Sequence, residues 1–537
     1  MHYTVVLVRF TMAAILGSFR RSISNPVFKY TFRYAASTAS KPTLQVDDNL
    51  KSINDLPGVG IRGAPLIVNK IIATAQVLRG DISKAHEMNV ENVKKYGKMY
   101  RNSTFVFDMV VLSDPKFIEK FCRSEDKYPE RLPFVPWIEY RKENNKPLGI
   151  LLEDGERWHK SRSTMSRRLL RPQEISLFLN PMHGVSTDVL KRLNTLRTKE
   201  GPNKDIVMDL EEELFRWSFE SACTVFFDKR LGILDKNSPK IHEDIDEFVY
   251  AFQNVLTASA DLLFKPYHIQ KALKTKMYTL HKQSWDLLFR VSRDLIDMKL
   301  NDLAEKVAKS DKEQVDDGSF LAYLVAQDKL SDEEIYGNMT ELLAAAVDTT
   351  SNSTLWILYC LAKNPQCQER LYEEVTRVIP EGITPTKDHY NQMSYLKAVM
   401  QETQRLFPIV AGVSRHVKRD IEINGYMIPA GISVILDTYS VSRNPEYFED
   451  PLNFKPERWL DRVKGERLNS FLMLPFGVGV RSCIGRRLAE QEMHTLLPMI
   501  IRNFQLQIDK DIKPVSRTIL VPDQPLNLRL VERNNAV

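Results

Sequence analysis

"PFGVGVRSCIGRRLAE", residues 475–490, places Cys483 two residues after Arg481 and two before Gly485, just ahead of a basic helical run. The nearest other cysteine, Cys367, lies over a hundred residues upstream, so neither a zinc knuckle nor a local disulfide accounts for the loop. Gly479 and Gly485 let the backbone close around the sulfur so that amide N–H groups reach it. "IGRRLAEQEMHTLL" begins a helix immediately after Cys483, and the positive end of a helix dipole favours an anion there. The pattern predicts a buried thiolate. Arg481 adds a guanidinium suited to a carboxylate on a bound group. The remaining cysteines, Cys122, Cys223, Cys360 and Cys367, show no CxxC spacing and read as small buried apolar residues.

Composition sets the broad class. With 43% hydrophobic and 27% charged residues among 537, the chain reads as globular, neither disordered nor a polytopic membrane protein. The net charge of +6 is carried entirely by the front of the chain. Residues 1–46 hold Arg9, Arg20, Arg21, Lys29, Arg33 and Lys41 and no acid, and beyond them 69 basic residues balance 69 acidic ones. A balanced body gives no footprint for nucleic acid. An acid-free, basic, serine-containing leader is the composition of a mitochondrial presequence, expected over residues 1–45. The rival is a membrane anchor at residues 3–19, which Arg9 interrupts. The rest, 46–537, reads as one domain.

Along that domain, "INDLPGVGIRGAP" reads as an extended entry strap. From about 85 to 410 the pattern is mainly helical, broken by "SDPK", "KNP" and "EGITP". "VKRDIEINGYMIPAGISVIL" then alternates around Asn424-Gly425 and predicts a β-hairpin, and residues 505–532 predict a second small sheet. "SDEEIYGNMTELLAAAVDTTSNSTLWILYCLAKNP" reads as one long helix, capped by Ser331 with Glu334 and stopped before Pro365. Its polar run from Asp348 to Thr354 spans all faces, so some of it must point inward. The fold class is mainly α with small β-sheets.

A thiolate is also the ligand that donates strongly to haem iron and favours cleavage of an O–O bond on the opposite face. Phe476, Gly479, Arg481, Cys483 and Gly485 match F-x-x-G-x-R-x-C-x-G, and on that signature the chain resembles the cytochromes P450. It is most similar to the mitochondrial type, including steroid and vitamin D hydroxylases. The resemblance implies a haem b cofactor with Cys483 as its iron ligand. It makes Glu402 and Arg405, one helical turn apart in "YLKAVMQETQRLFP", and Arg458 of "FKPERWL" a buried charge triad. It sets the A-x-x-D-T-T stretch across the haem, with Asp348 and Thr349 relaying protons for oxygen activation and Thr349 bonded to the Ala345 carbonyl. Ala346 stands where most relatives have glycine. Trp158 and Arg162, spaced W-x-x-x-R, together with Arg415 and Arg481, would hold the haem propionates.

The resemblance also implies an apolar substrate pocket walled by Trp137 in "YPERLPFVPWIEYR", residues 252–263, Ala345, Val410 and Thr518. Such a pocket suits a sterol, secosteroid or similar lipophilic molecule. Lys397, Arg486 and Arg487 resemble the positions at which mitochondrial members hold an acidic [2Fe–2S] ferredoxin, with Gln401 replacing a second lysine. "LLFKPYHIQKALKTK" mixes apolar and basic residues and suits a peripheral contact with the inner membrane on its matrix side. The expected activity is a monooxygenase using O2 and NADPH electrons passed through ferredoxin reductase and ferredoxin. A haem-thiolate isomerase, a non-catalytic haem sensor and a microsomal oxidase fed by a flavoprotein are the alternatives.

Overall fold

The computed structural model describes residues 50–61, 65–79, 82–104, 106–235, 245–309, 318–460 and 469–533. The leader expected over residues 1–45 lies outside the described residues. Ten helices carry the site. They are α1 (Val135–Glu143), α2 (Gly155–Leu169), α3 (Leu179–Leu196), α4 (Leu210–Phe227) and α5 (Ile245–Leu262). They continue with α6 (Lys276–Ala308), α7 (Asp332–Lys363), α8 (Pro365–Val378), α9 (Ser394–Leu406) and α10 (Arg486–Asn503).

At the centre runs α7, 32 residues long. Ser331 caps it: the hydroxyl accepts from the Glu334 amide, and the Glu334 carboxylate accepts from the Ser331 amide at 2.8 Å, so two otherwise unpaired N–H groups are satisfied. The helix ends at Lys363 because Pro365 begins the next one. α4, α6, α9 and α10 pack around α7, and one continuous apolar core that includes Leu214, Trp285, Leu355 and Leu496 joins them. A helix buried on nearly every side needs apolar residues all round, which is why its polar run stood out.

The strands form a separate corner with its own core of Val110, Leu112, Ile423, Val434 and Leu436. A four-stranded sheet has the order β2 (Met99–Ser103), β3 (Asp108–Leu112), β8 (Ser433–Leu436), β5 (Val413–His416). Beside it β1 (Lys51–Ser52) pairs parallel with β7 (Tyr426–Ile428), which pairs with β6 (Ile421–Ile423). Asn424 and Gly425, with φ of 51° and 77°, make the two-residue turn expected of Asn-Gly. β2 and β3 interrupt the stretch read as helical. Val110, Val111 and Leu112 are all buried, so they do not alternate, and their parallel partner β8 lies more than 300 residues along the chain.

The closing sheets form as expected from residue 504 onward, with one addition. β12 (Leu528–Glu532) pairs with β9 (Phe504–Gln507) on one edge and with the short β4 (Ile206–Val207) on the other. β10 (Pro514–Arg517) and β11 (Ile519–Pro522) are joined through Thr518 alone. No helix among the described residues is long and apolar enough to cross a membrane.

Candidate active site

The cysteine loop is built from local backbone constraints. Gly477 and Gly479 have φ of 70° and 68°, the left-handed region where a side chain is strained. Those turns let the Cys483 amide donate to the Phe476 carbonyl at 2.7 Å and the Ser482 amide to Gly479 at 3.1 Å. The thiol therefore emerges at the N-terminus of α10, where Gly485 is the cap. Burial raises the thiol pKa, while a hydrogen bond from the Gly485 N–H and the Arg162 and Arg131 guanidiniums pull it down. Although protein encloses it on nearly every side, Cys483 is solvent-accessible, so its sulfur lines an internal void. Phe476, half-buried, faces the Arg486 guanidinium at 5.4 Å.

Four guanidiniums gather beside that void. Arg481 is buried; it donates to the Pro129 carbonyl at 2.7 Å and to the Glu153 carbonyl at 3.1 Å, and pairs with Asp154. Trp158 lies beneath its guanidinium at 3.8 Å, a cation–π stack that positions Arg481. Arg415 pairs with Glu125 and donates to the Ser414 carbonyl at 3.0 Å. Arg162 is half-buried, one turn after Trp158 on α2. The fourth, Arg131, is absent from the sequence reading, because nothing in the spacing of "YPERLP" marks it; it donates to the Arg481 carbonyl at 3.3 Å. Neither Arg131 nor Arg162 makes an ion pair with a carboxylate among the described residues. Burial, reinforced by neighbouring cations, pushes Arg131 and Arg481 down to about 10.

Four guanidiniums, two of them paired with Glu125 and Asp154 while the neighbouring Glu130 is paired with Lys418, leave an excess of positive charge next to an accessible thiol that fits a planar group with an iron and two carboxylates. These residues therefore fit haem. A further residue missed in the sequence supports them from behind. Glu341 of α7, fully buried, accepts from Arg141 at 3.3 Å, from the Gly149 amide at 3.1 Å and from the Leu151 amide at 2.7 Å. A Cβ on Gly149 would stand 2.6 Å from that carboxylate, so only glycine lets this loop, which continues to Asp154, approach so closely.

The polar run lies in the middle of α7. Between Gly337 and Ala362 every residue is buried except Ala345, Ala346, Thr349 and Ser353, a stripe with helical spacing. The polar run is thus not a solvated face. Its side chains turn back onto the helix: Thr349 donates to the Ala345 carbonyl at 2.8 Å, Ser351 to Val347 at 2.7 Å, Asn352 to Asp348 at 2.9 Å and Ser353 to Thr349 at 2.7 Å. Such back-bonding competes with the helix ladder and loosens this turn. Asp348 is 2% exposed, and burial, with repulsion from Glu211, raises it to about 7 against the pull of Arg517.

The structure brings Glu402, Arg405 and Arg458 together. Arg405 donates to Glu402 through Nε at 2.9 Å and Nη2 at 2.8 Å, and Arg458 Nε donates at 3.0 Å. Lys455 N at 3.0 Å and Trp459 Nε1 at 2.9 Å complete the shell, and no spacing in "FKPERWL" marks either. Of the four proposed pocket walls, Trp137 and Thr518 both contact α5. Trp137 is packed core: its indole N–H donates to Ser259 at 2.6 Å and its rings meet Trp285 at 5.2 Å. Ala345 lies on the α7 stripe, and Val410 is 40% exposed. Thr518 donates to the Leu256 carbonyl at 2.9 Å, and the neighbouring Leu520 amide donates to Ile409 at 2.8 Å. On the opposite side, Arg486 and Arg487 share Glu490 at 2.8 and 3.6 Å, while Lys397 donates to the Asn391 carbonyl at 2.8 Å.

Comparison with known proteins agrees with this geometry. The family model described as Cytochrome P450 matches residues 69–530. The mitochondrial 1,25-dihydroxyvitamin D(3) 24-hydroxylase of Rattus norvegicus is 34% identical over 525 residues, covering 96% of this chain and 97% of that one. The mitochondrial sterol 26-hydroxylase of the same species is 33% identical over 504 residues, covering 93% and 92%. Its mitochondrial 25-hydroxyvitamin D-1 alpha hydroxylase is 32% identical over 492 residues, covering 91% and 95%. With a family model matched over residues 69–530, a glycine-turned cysteine at a helix N-terminus beside four guanidiniums and a long, polar-interrupted central helix, the chain belongs to the cytochrome P450 family.

Proposed function

We propose that this P450 monooxygenase hydroxylates a sterol or secosteroid at the matrix side of the mitochondrial inner membrane, with electrons delivered by a [2Fe–2S] ferredoxin. The observation that carries the reading is the accessible thiol at the head of α10, enclosed by protein and drawn toward the anion by the Gly485 N–H and the Arg131 and Arg162 guanidiniums. Haem, bound through Cys483, supplies reductive activation of O2. Cys483 holds the iron as the anion, stabilised by the Gly485 N–H and by Arg131 and Arg162. Arg162, Arg415 and Arg481, with Arg131, hold the two propionates, and the planar fork of each guanidinium suits a carboxylate.

Asp348 and Thr349 supply protons at the oxygen site. A carboxyl near neutrality both takes and gives a proton at working pH, and the Thr349 hydroxyl lies on the accessible stripe beside it. Ala345 and Ala346 offer only methyl groups there, so the wall is apolar and excludes water, as a lipophilic substrate requires. The vitamin D and sterol hydroxylases among the relatives favour that substrate class.

Arg486, Arg487 and Lys397 supply positive charge on the thiolate side, where complementary charge orients an acidic partner. Exposed Ile269 and Leu273, with exposed Ile67 and Ile71 on the helix at Leu66–Arg79, supply an apolar surface for a peripheral bilayer contact. Phe107 and Phe264, 6.2 Å apart, tie the β2–β3 turn to the same segment. The leader over 1–45 addresses the chain to the mitochondrion.

The reduced, carbon monoxide-treated protein tests the reading: a red-shifted absorption band is expected, and its absence in a folded protein overturns it. Titration with a panel of sterols and secosteroids is expected to shift the haem spectrum. Mitochondrial import followed by sequencing of the mature N-terminus is expected to locate a cut near residue 45; an uncut chain overturns the location.

A further inference from the structure

We propose that Glu125 is a positioning residue for the cofactor: it joins Arg415 to the cysteine loop, and its negative charge sets how readily the bound iron accepts an electron. The inference rests on the haem-bound monooxygenase reading above. Glu125 follows the helix at Pro115–Arg123 and pairs with Arg415 of β5, which is 2% exposed. Arg415 in turn donates through Nη2 to the Val478 carbonyl at 3.4 Å. A Cβ on Gly479 would stand 3.8 Å from the other Glu125 oxygen, so the carboxylate lies beside the turn that sets Cys483. The Arg481 guanidinium also acts on that carboxylate. One acidic side chain thus meets both the strand that brings Arg415 and the loop that carries the thiol.

The donors of Arg415 divide accordingly. A guanidinium carries five N–H groups. Arg415 gives the one on Nε to Glu125, one on Nη1 to the Ser414 carbonyl at 3.0 Å and one on Nη2 to Val478. One N–H therefore remains on each terminal nitrogen, the pair that a bidentate carboxylate takes. With its Nε edge held by Glu125 and one Nη2 donor held by the cysteine loop, the guanidinium presents those two donors to a propionate in a fixed orientation.

Glu125 is the buried member of a row of ion pairs. Lys120 pairs with Glu422, Asp126 with Arg419 at 3.3 Å and Glu130 with Lys418, and the His416 amide donates to the Glu130 carbonyl at 2.9 Å. The row zips residues 120–130 to residues 415–422, so one contact sets both Arg415 and the approach to Arg131. The Lys120 and Arg419 side chains are 50% and 60% exposed, and pairs of that kind contribute little. Glu125, with a side chain 11% exposed, is poorly screened by solvent, so its charge is felt across the cluster. A negative charge there favours the oxidised, more positive cofactor, and neutralising it favours the added electron. The step it tunes is the one-electron reduction of the bound iron by the ferredoxin.

Glu125→Gln in the haem-loaded full chain tests the inference, with Asp126→Asn of the exposed neighbouring pair as the control. In a potentiometric titration the ratio of reduced to oxidised haem at a fixed potential is expected to rise about tenfold in Glu125→Gln, about 59 mV for one electron. Haem transfer to apomyoglobin is expected to quicken about tenfold as Arg415 loses its anchor. Glu125→Asp, which keeps the charge but draws it back by one methylene, should shift the ratio only about twofold, and Asp126→Asn should match the wild type in both measurements. An unchanged ratio in Glu125→Gln overturns the inference, and so does an equal shift in Asp126→Asn. Should Glu125→Gln fail to fold or to load haem, the Glu125→Asp titration decides, and an unchanged ratio there overturns the inference. A wild-type protein lacking the carbon monoxide band overturns the monooxygenase reading alone. Amide exchange across residues 476–483 of that same protein then decides whether Glu125 holds the cysteine loop: about tenfold faster exchange is expected in Glu125→Gln but not in Asp126→Asn, and unchanged exchange overturns the inference.

Discussion

Replacing Glu402 with glutamine should destabilise the fold and release its cofactor. Five donors converge on this carboxylate, which is 0% exposed: Arg405 Nε and Nη2, Arg458 Nε, Trp459 Nε1 and the Lys455 amide. Glutamine keeps the volume, but its NH2 group is itself a donor and must face one of them. The Arg405 guanidinium, anchored by the carbonyls of Ser442 at 2.7 Å and Pro451 at 2.6 Å, cannot swing out to water. Breaking one side of a buried ion pair costs about 3–5 kcal/mol. Against a whole-domain stability of about 5–15 kcal/mol, that is between about a fifth and all of it. Urea unfolding followed by circular dichroism, with the carbon monoxide difference spectrum recorded on the same samples, measures both losses. Burial alone would raise the Glu402 pKa, yet the Arg405 hydrogen bonds and charge hold it below its ordinary 4.5. Its contribution is therefore fully present above pH 4.5 and lost as pH falls through the lower folded value; Glu402→Gln should remove that acid limb. A soluble, haem-loaded Glu402→Gln protein with a wild-type urea midpoint would refute the reasoning.

Asp348 gives the opposite pH signature. Its pKa is raised by burial to about 7, so between 3.8 and 7 the folded chain holds a proton that the unfolded chain lacks, and stability falls as pH rises through that window. Asp348→Asn should flatten that slope in unfolding measured from pH 4 to 8, and should cut turnover by about a hundredfold, the scale of general acid catalysis. Gly479→Ala places a Cβ on a residue at φ 68°, which should cost about 1–2 kcal/mol and lower the melting temperature with haem occupancy. Arg486→Glu and Arg487→Glu together should raise the Kd for ferredoxin about tenfold and weaken its salt dependence, leaving the carbon monoxide spectrum intact. Surface plasmon resonance at two ionic strengths checks this, and an unchanged Kd places the partner elsewhere.

The local features were legible because their causes are local. Asn424-Gly425 turns because only such residues take two positive φ angles in succession, and Ser331 with Glu334 caps α7 because three residues bring one side chain back to the other's amide. The cysteine loop is of the same kind, since Gly477, Gly479 and Gly485 shape a segment shorter than a dozen residues. β2 and β3 were missed for the converse reason: buried on both faces, they lose the alternation that announces a strand. Trp137 shows the limit of such reading, because an indole reads equally as pocket wall or core until its partners, Ser259 and Trp285, are known.

By itself, then, the sequence determined the glycine-turned cysteine loop, the capped central helix with its polar run and the mainly helical class, all of which follow from spacing along a few turns of chain. Only the tertiary structure decided that Arg131 joins Arg162, Arg415 and Arg481, and that Trp459 and Lys455 complete the shell of Glu402. The physical reason is that charge acts through space. A guanidinium or carboxylate is tuned by whatever lies within a few ångströms after folding, and the groups that matter here are separated by tens to hundreds of residues of chain that no local pattern connects.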